Sequence, residues 1–148
     1  MRVAVIGTGY LGAVHAAGMA QLGFQTVGVD VDQAKVDRLQ AGTSPFYEPD
    51  FEPILAEQVA SGRLRFTTDF SQISDADVVF IGVGTPQKAD SHAADLTYID
   101  SAIASITPHL KDGALVAGKS TVPVGTAARL QGIADWHARD GVRAEVVW

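Results

Sequence analysis

Short apolar runs alternate with stretches of helical period along the whole chain. Residues 2–7, "RVAVIG", apolar from Val3 on, predict a strand covered on both faces. Residues 11–23 follow with Leu11, Val14, Gly18 and Leu22 near one helical face and Gly23 as a stop. A second strand is predicted over 25–30. A helix over 32–42 has Asp32 as its N-cap and Gly42 just past its end. Residues 43–49 read as a loop, 50–62 as a helix and 63–69 as a short, more polar strand. "ADVVFIGVG" (76–84) is expected to be the most buried strand of all. The polar loop 85–95 leads to a helix over 96–110, broken near Pro108. A fifth strand over 113–120, a helix over 126–141 and the start of a sixth strand at 144–148 complete the pattern.

Six strands separated by helical segments predict an α/β domain. The strands lack polar alternation, so the sheet is expected to be mainly parallel with helices on both faces. A length of 148 residues suits one domain over residues 1–148. No internal repeat, low-complexity tract or interdomain linker interrupts it. The sequence stops inside a predicted strand, on Val146-Val147-Trp148, which predicts a fragment of a longer protein.

Composition narrows the chemistry. The absence of cysteine excludes a thiolate metal site or a cysteine nucleophile within these residues. A net charge of −6 argues against nucleic acid and anionic membrane surfaces as partners. No apolar stretch approaches the roughly 20 residues of a membrane span, and "MRVAVIGTG" lacks a small-residue cleavage site. A soluble cytoplasmic protein is expected. His15, His92, His109 and His137 show no metal-ligand spacing and read as ordinary helix or loop residues, so no metal is expected.

One motif carries specific chemistry. Gly7-Thr8-Gly9-Tyr10-Leu11-Gly12 has the pattern G-x-G-x-x-G, directly after the first strand and opening the first helix. Gly7 permits the tight turn, Gly9 lets the backbone approach a pyrophosphate, and Gly12 lets helix and strand pack closely. Tyr10 and Leu11 contribute backbone N–H groups at the helix N-terminus, so their side chains carry little information. Asp30 ends the second strand 18 residues after Gly12 (30 − 12). An acid near that spacing receives the ribose hydroxyls of a dinucleotide and repels a 2′-phosphate, which favours NAD over NADP. The nearest cation, Lys35, lies on the following helix and is grouped with the cofactor residues. Asp32 competes for the ribose role but suits capping better.

Later motifs extend the pattern. "GTGYLG", "VDVDQAKVDRLQAG", "PFYEPDFEPIL", "FIGVGTPQKADSHAADL" and "GKSTVPVGT" occur in this order. Together they resemble the NAD-binding domain of the UDP-glucose/GDP-mannose dehydrogenase family, over the whole chain, and most closely the branch acting on UDP-glucose. The resemblance implies a Rossmann-type doubly wound fold, NAD as cofactor and a homo-oligomeric parent enzyme. It also implies oxidation of UDP-glucose to UDP-glucuronate by two successive hydride transfers to NAD. The family's catalytic cysteine, lysine and aspartate, its central helix and its UDP-sugar-binding domain lie beyond these residues. The fragment is therefore expected to bind NAD without catalysing the reaction.

By the same resemblance Thr85 lies near the cofactor's ribose or pyrophosphate. Thr121 contacts the cofactor and helps position the reactive water or oxygen. From residue type alone, Ser120 and Thr121 equally suit capping of the next helix, and Thr85-Pro86 suits the start of a loop. Lys119 fits a phosphate contact or a structural cation. Glu48, before Pro49, reads as the mark of a helix start. Three other readings stay open: a dehydrogenase for GDP-mannose or UDP-N-acetylmannosamine, a hydroxyacid dehydrogenase, and a dinucleotide-sensing module without catalysis.

Overall fold

A computed structural model describes residues 1–88 and 93–148. Six strands form one sheet: β1 (Arg2–Ile6), β2 (Gln25–Val29), β3 (Leu64–Thr67), β4 (Val78–Ile81), β5 (Ala114–Gly118) and β6 (Ala144–Val147). Their order is β3-β2-β1-β4-β5-β6, and every pairing is parallel. This is the strand order of the doubly wound dinucleotide fold, with the direction of winding reversing between β1 and β4.

Five α-helices cover the faces: α1 (Tyr10–Gln21), α2 (Gln33–Gln40), α3 (Phe51–Ala60), α4 (Thr97–Ile106) and α5 (Thr126–His137). β1 shows how the two faces divide. Val3 and Val5 pack with α1, α2 and α3, whereas Ala4 and Ile6 pack with α4 and α5. A strand buried on both sides has no use for alternating polar residues, and so it reads as a plain apolar run.

The predicted caps form as expected around α2. Asp32 accepts a hydrogen bond from the Lys35 backbone N–H at 3.1 Å, and Gly42 follows the last turn at φ +76°. The predicted face of α1 is wrong. Its buried residues are Gly12, Ala13, Ala16, Ala17 and Ala20, while Leu11 and Leu22 are exposed. Small side chains let this helix lie close to β1 and β2, and large ones there would hold it off. A short 3-10 helix at Phe70–Ile73 also escaped prediction, because four residues show no period.

Candidate functional site

The winding reversal opens a cleft at the carboxyl ends of β1, β2 and β4. Its volume is about 470 Å³, and the turn after β1, Asp30, Lys35 and residues 82–84 line it. A parallel sheet places its ligand crevice at this point.

The turn after β1 is built by close approach. A Cβ on Gly12 would lie 1.8 Å from the carbonyl oxygen of Gly7, and one on Gly7 would lie 2.7 Å from Val83 Cγ1. Gly7 also has φ +84°, where a side chain is strained. Gly9 differs: nothing lies within 4 Å of the position its Cβ would occupy. The space is therefore free above the backbone where α1 begins. The first N–H groups of a helix lack internal partners, and no acidic residue sits in the first turn of α1. This cradle suits a diphosphate.

Asp30 stands at the tip of β2 and is only 7% exposed. Its Oδ2 accepts from the Thr8 backbone N–H at 2.7 Å and from the Thr8 hydroxyl at 3.1 Å. Its Oδ1 accepts from the Asp32 N–H at 3.1 Å. Lys35 Nζ lies 3.1 Å from Oδ1 and 3.0 Å from Oδ2. Burial raises the pKa of this carboxyl. The Lys35 ammonium and the N–H groups of Asp32 and Thr8 outweigh it and hold the group below the usual carboxylate range. Asp30 is thus ionised and turned to the cleft, fit to receive hydroxyl donors. Asp32 spends its side chain on the α2 cap.

The far wall of the cleft comes from α4, with Tyr98, Ser101, Ala102 and Ser105, joined by Phe70 of the 3-10 helix. These residues make a partly apolar wall, of the kind that suits an aromatic base. Sequence reasoning missed them. On a helix at the cleft's edge, the site-facing positions look like an ordinary solvent face.

Tyr10 carries more than backbone N–H groups. Its hydroxyl donates to Glu48 at 2.5 Å, and its ring meets Phe46 edge-on at 5.2 Å. Glu48 accordingly ties the 43–50 loop to the start of α1, which its reading as a mere helix-start marker did not include. Leu11 is exposed beside it.

Thr85 and Thr121 come together beyond β4 and β5, with the Thr85 hydroxyl donating to the Thr121 carbonyl at 3.3 Å. β5 ends at Gly118, two residues before the predicted boundary. Ser120 does not cap α5. Its hydroxyl donates to the Val83 carbonyl at 2.5 Å, and Gly125 takes the N-cap position. The exposed Lys119 lies close enough to His15 to help lower that imidazole's pKa, after burial, the larger cause. His15 is half-buried against Phe80, at 4.5 Å between ring centres, and its Nε2 has no hydrogen-bond partner among the described residues. His109 closes a 3-10 turn and His137 ends α5, while His92 lies outside the described residues. Among the described residues no three His, Cys, Asp or Glu side chains gather as a metal site, and no helix is long and apolar enough to cross a membrane.

Comparison with known proteins agrees with this geometry. UDP-glucose 6-dehydrogenase YwqF of Bacillus subtilis is 40% identical over 147 residues, covering 99% of this chain and 33% of that protein. UDP-N-acetyl-D-mannosamine dehydrogenase of Escherichia coli is 41% identical over 136 residues, covering 92% of this chain and 31% of that protein. The structure of a GDP-mannose dehydrogenase from Pseudomonas aeruginosa superposes with a TM-score of 0.89 at 36% identity, covering 93% of this chain and 33% of that one. The chain thus spans about a third of the length of these relatives. All of residues 1–148 match one family description, the NAD-binding domain of the UDP-glucose/GDP-mannose dehydrogenases. The phosphate cradle, the ionised acid at the tip of β2 and this match agree: the chain belongs to the UDP-glucose/GDP-mannose dehydrogenase family and carries its NAD-binding domain.

Proposed function

We propose that these 148 residues are the cofactor domain of a longer UDP-glucose 6-dehydrogenase. That enzyme oxidises the C6 alcohol of UDP-glucose to a carboxylate in the cytoplasm, as a homo-oligomer. The observation that carries the reading is 40% identity to a UDP-glucose 6-dehydrogenase across 99% of the chain. Two more relatives named UDP-glucose 6-dehydrogenase, from Pseudomonas aeruginosa and Rhizobium meliloti, support it at 44% and 41% identity.

NAD, when bound, supplies the hydride acceptor. In this reading Gly7, Gly9 and Gly12, with the backbone of Tyr10 and Leu11, hold the diphosphate. Asp30 accepts from the ribose on the adenine side, with Lys35 moving aside or sharing the carboxylate. Thr85 lies along the ribose or diphosphate. Thr121 faces the nicotinamide end and helps position the reactive water or oxygen. With no cysteine in these residues, the thiol expected of the family's covalent step has to come from elsewhere in the longer protein. The 148 residues alone are therefore expected to bind NAD and to leave UDP-glucose unoxidised.

The second reading keeps the cofactor and changes the sugar. The mannosamine enzyme's 41% identity and the GDP-mannose enzyme's structural likeness favour it. The deciding experiment gives the full-length protein NAD and UDP-glucose, GDP-mannose or UDP-N-acetylmannosamine, and follows NADH and uronate together. The proposal expects the highest kcat/KM with UDP-glucose. A clear preference for either other sugar would replace it.

A further inference from the structure

β5 and β6 run in register up to Ala117 and Val147. The residue just after β6, Trp148, lays its indole over Gly118. A Cβ on Gly118 would fall 2.0–2.2 Å from three carbons of that ring system. Only glycine leaves room for the indole there.

The indole N–H donates to the Ser120 carbonyl at 2.6 Å. Just beyond the strand end, chain groups lose their ladder partners and need others. Several groups of this turn find one. The Lys119 N–H donates to the Ile81 carbonyl at 3.0 Å, the Ser120 hydroxyl to Val83, and the Thr85 hydroxyl to the Thr121 carbonyl. The turn is therefore held by β4 on one side and by Trp148 on the other. Trp148 is itself half-buried against the core that α4 and α5 cover.

We infer that Trp148 is a positioning residue for the nicotinamide end of the cofactor site: through Gly118 and the Ser120 carbonyl, it fixes the turn that carries Thr121. The inference rests on the proposed placing of Thr121 near the nicotinamide.

The test compares NAD with ADP, which has the adenosine and diphosphate but no nicotinamide half. Trp148→Phe keeps an aromatic ring and removes the N–H, whereas Gly118→Ala drives the indole from its seat. Calorimetry on each folded variant should show NAD bound roughly three- to tenfold more weakly, the scale of one lost hydrogen bond, with ADP affinity unchanged. Equal weakening of both ligands, or no change in either, would overturn the inference while leaving NAD binding intact. A wild-type chain that binds neither ligand would overturn the cofactor reading and the inference with it. A second measurement needs no change at the turn. Trp136, the other tryptophan of these 148 residues, is 85% exposed, and in the 148-residue chain Trp136→Phe leaves Trp148 as the sole indole emitter. Its fluorescence should respond to NAD and not to ADP; an identical response to both would also overturn the inference.

Discussion

Thr8 and Asp30 are joined twice through one oxygen: Oδ2 of Asp30 accepts from the Thr8 backbone N–H at 2.7 Å and from its hydroxyl at 3.1 Å. Both residues are buried. The pair ties the turn after β1 to the tip of β2, and so joins the two parts of the proposed cofactor site. The Thr8 N–H, with Lys35 and the Asp32 N–H, helps keep that group ionised. Thr8→Val removes the hydroxyl and keeps the shape. NAD affinity should fall by about 0.5–1.5 kcal/mol, roughly two- to tenfold in Kd. Calorimetry checks this, and an unchanged Kd would show that the hydroxyl does not prepare Asp30.

Gly9 and Gly12, three positions apart, should respond in opposite ways. Gly12→Ala forces a methyl group against the Gly7 carbonyl, and overpacking of this kind costs about 1–3 kcal/mol or more. Its melting temperature should drop. Gly9→Val adds its side chain to open space, so the fold should survive while the diphosphate site is filled and NAD binding is lost. Thermal melts and calorimetry on both variants check the contrast. A Gly9→Val chain with normal NAD affinity would mean the phosphates lie elsewhere.

His15 adds a pH dependence. Burial, then the Lys119 charge, lowers its pKa in the folded chain below the usual 6.5. A base with a lowered folded pKa takes up a proton more readily when unfolded. Its contribution to stability is therefore complete above pH 6.5 and fades as the pH falls through the folded pKa. Urea midpoints at pH 7.5 and pH 5 should fall more steeply for the wild type than for His15→Leu. Equal slopes would mean that the imidazole titrates as it does in the unfolded chain.

Much of this site is local, and what is local was legible. The glycine spacing at residues 7–12 and the acid 18 residues later depend only on two successive strands and the turn and helix between them. The parallel sheet followed from apolar runs without alternation, because covering both faces removes the polar positions. Other features depend on partners distant in sequence. Thr8 is a variable position of the motif until Asp30 is folded against it. Ser120 reads as a helix cap until Val83 is beside it. The α4 wall at Tyr98, Ser101 and Ser105 looks like a solvent face, since a cleft edge and a surface demand the same residue types. The face of α1 was misread because small residues, which allow close packing on the sheet, carry a weaker apolar signal than Leu11 and Leu22.

The central claim is that the ionised Asp30 at the tip of β2 receives the adenine-side ribose of NAD. Titration of NAD and NADP into the wild type and Asp30→Ala, side by side in a calorimeter, tests it most directly. The wild type should bind NAD much more tightly than NADP, because a buried carboxylate repels a 2′-phosphate. Asp30→Ala should lose about 1.5–3 kcal/mol of NAD affinity, the scale of hydrogen bonds to a charged group. The same change frees Lys35, so NADP should lose less affinity than NAD or gain some. Equal wild-type affinity for the two dinucleotides, or an Asp30→Ala chain that binds NAD as before, would contradict the account.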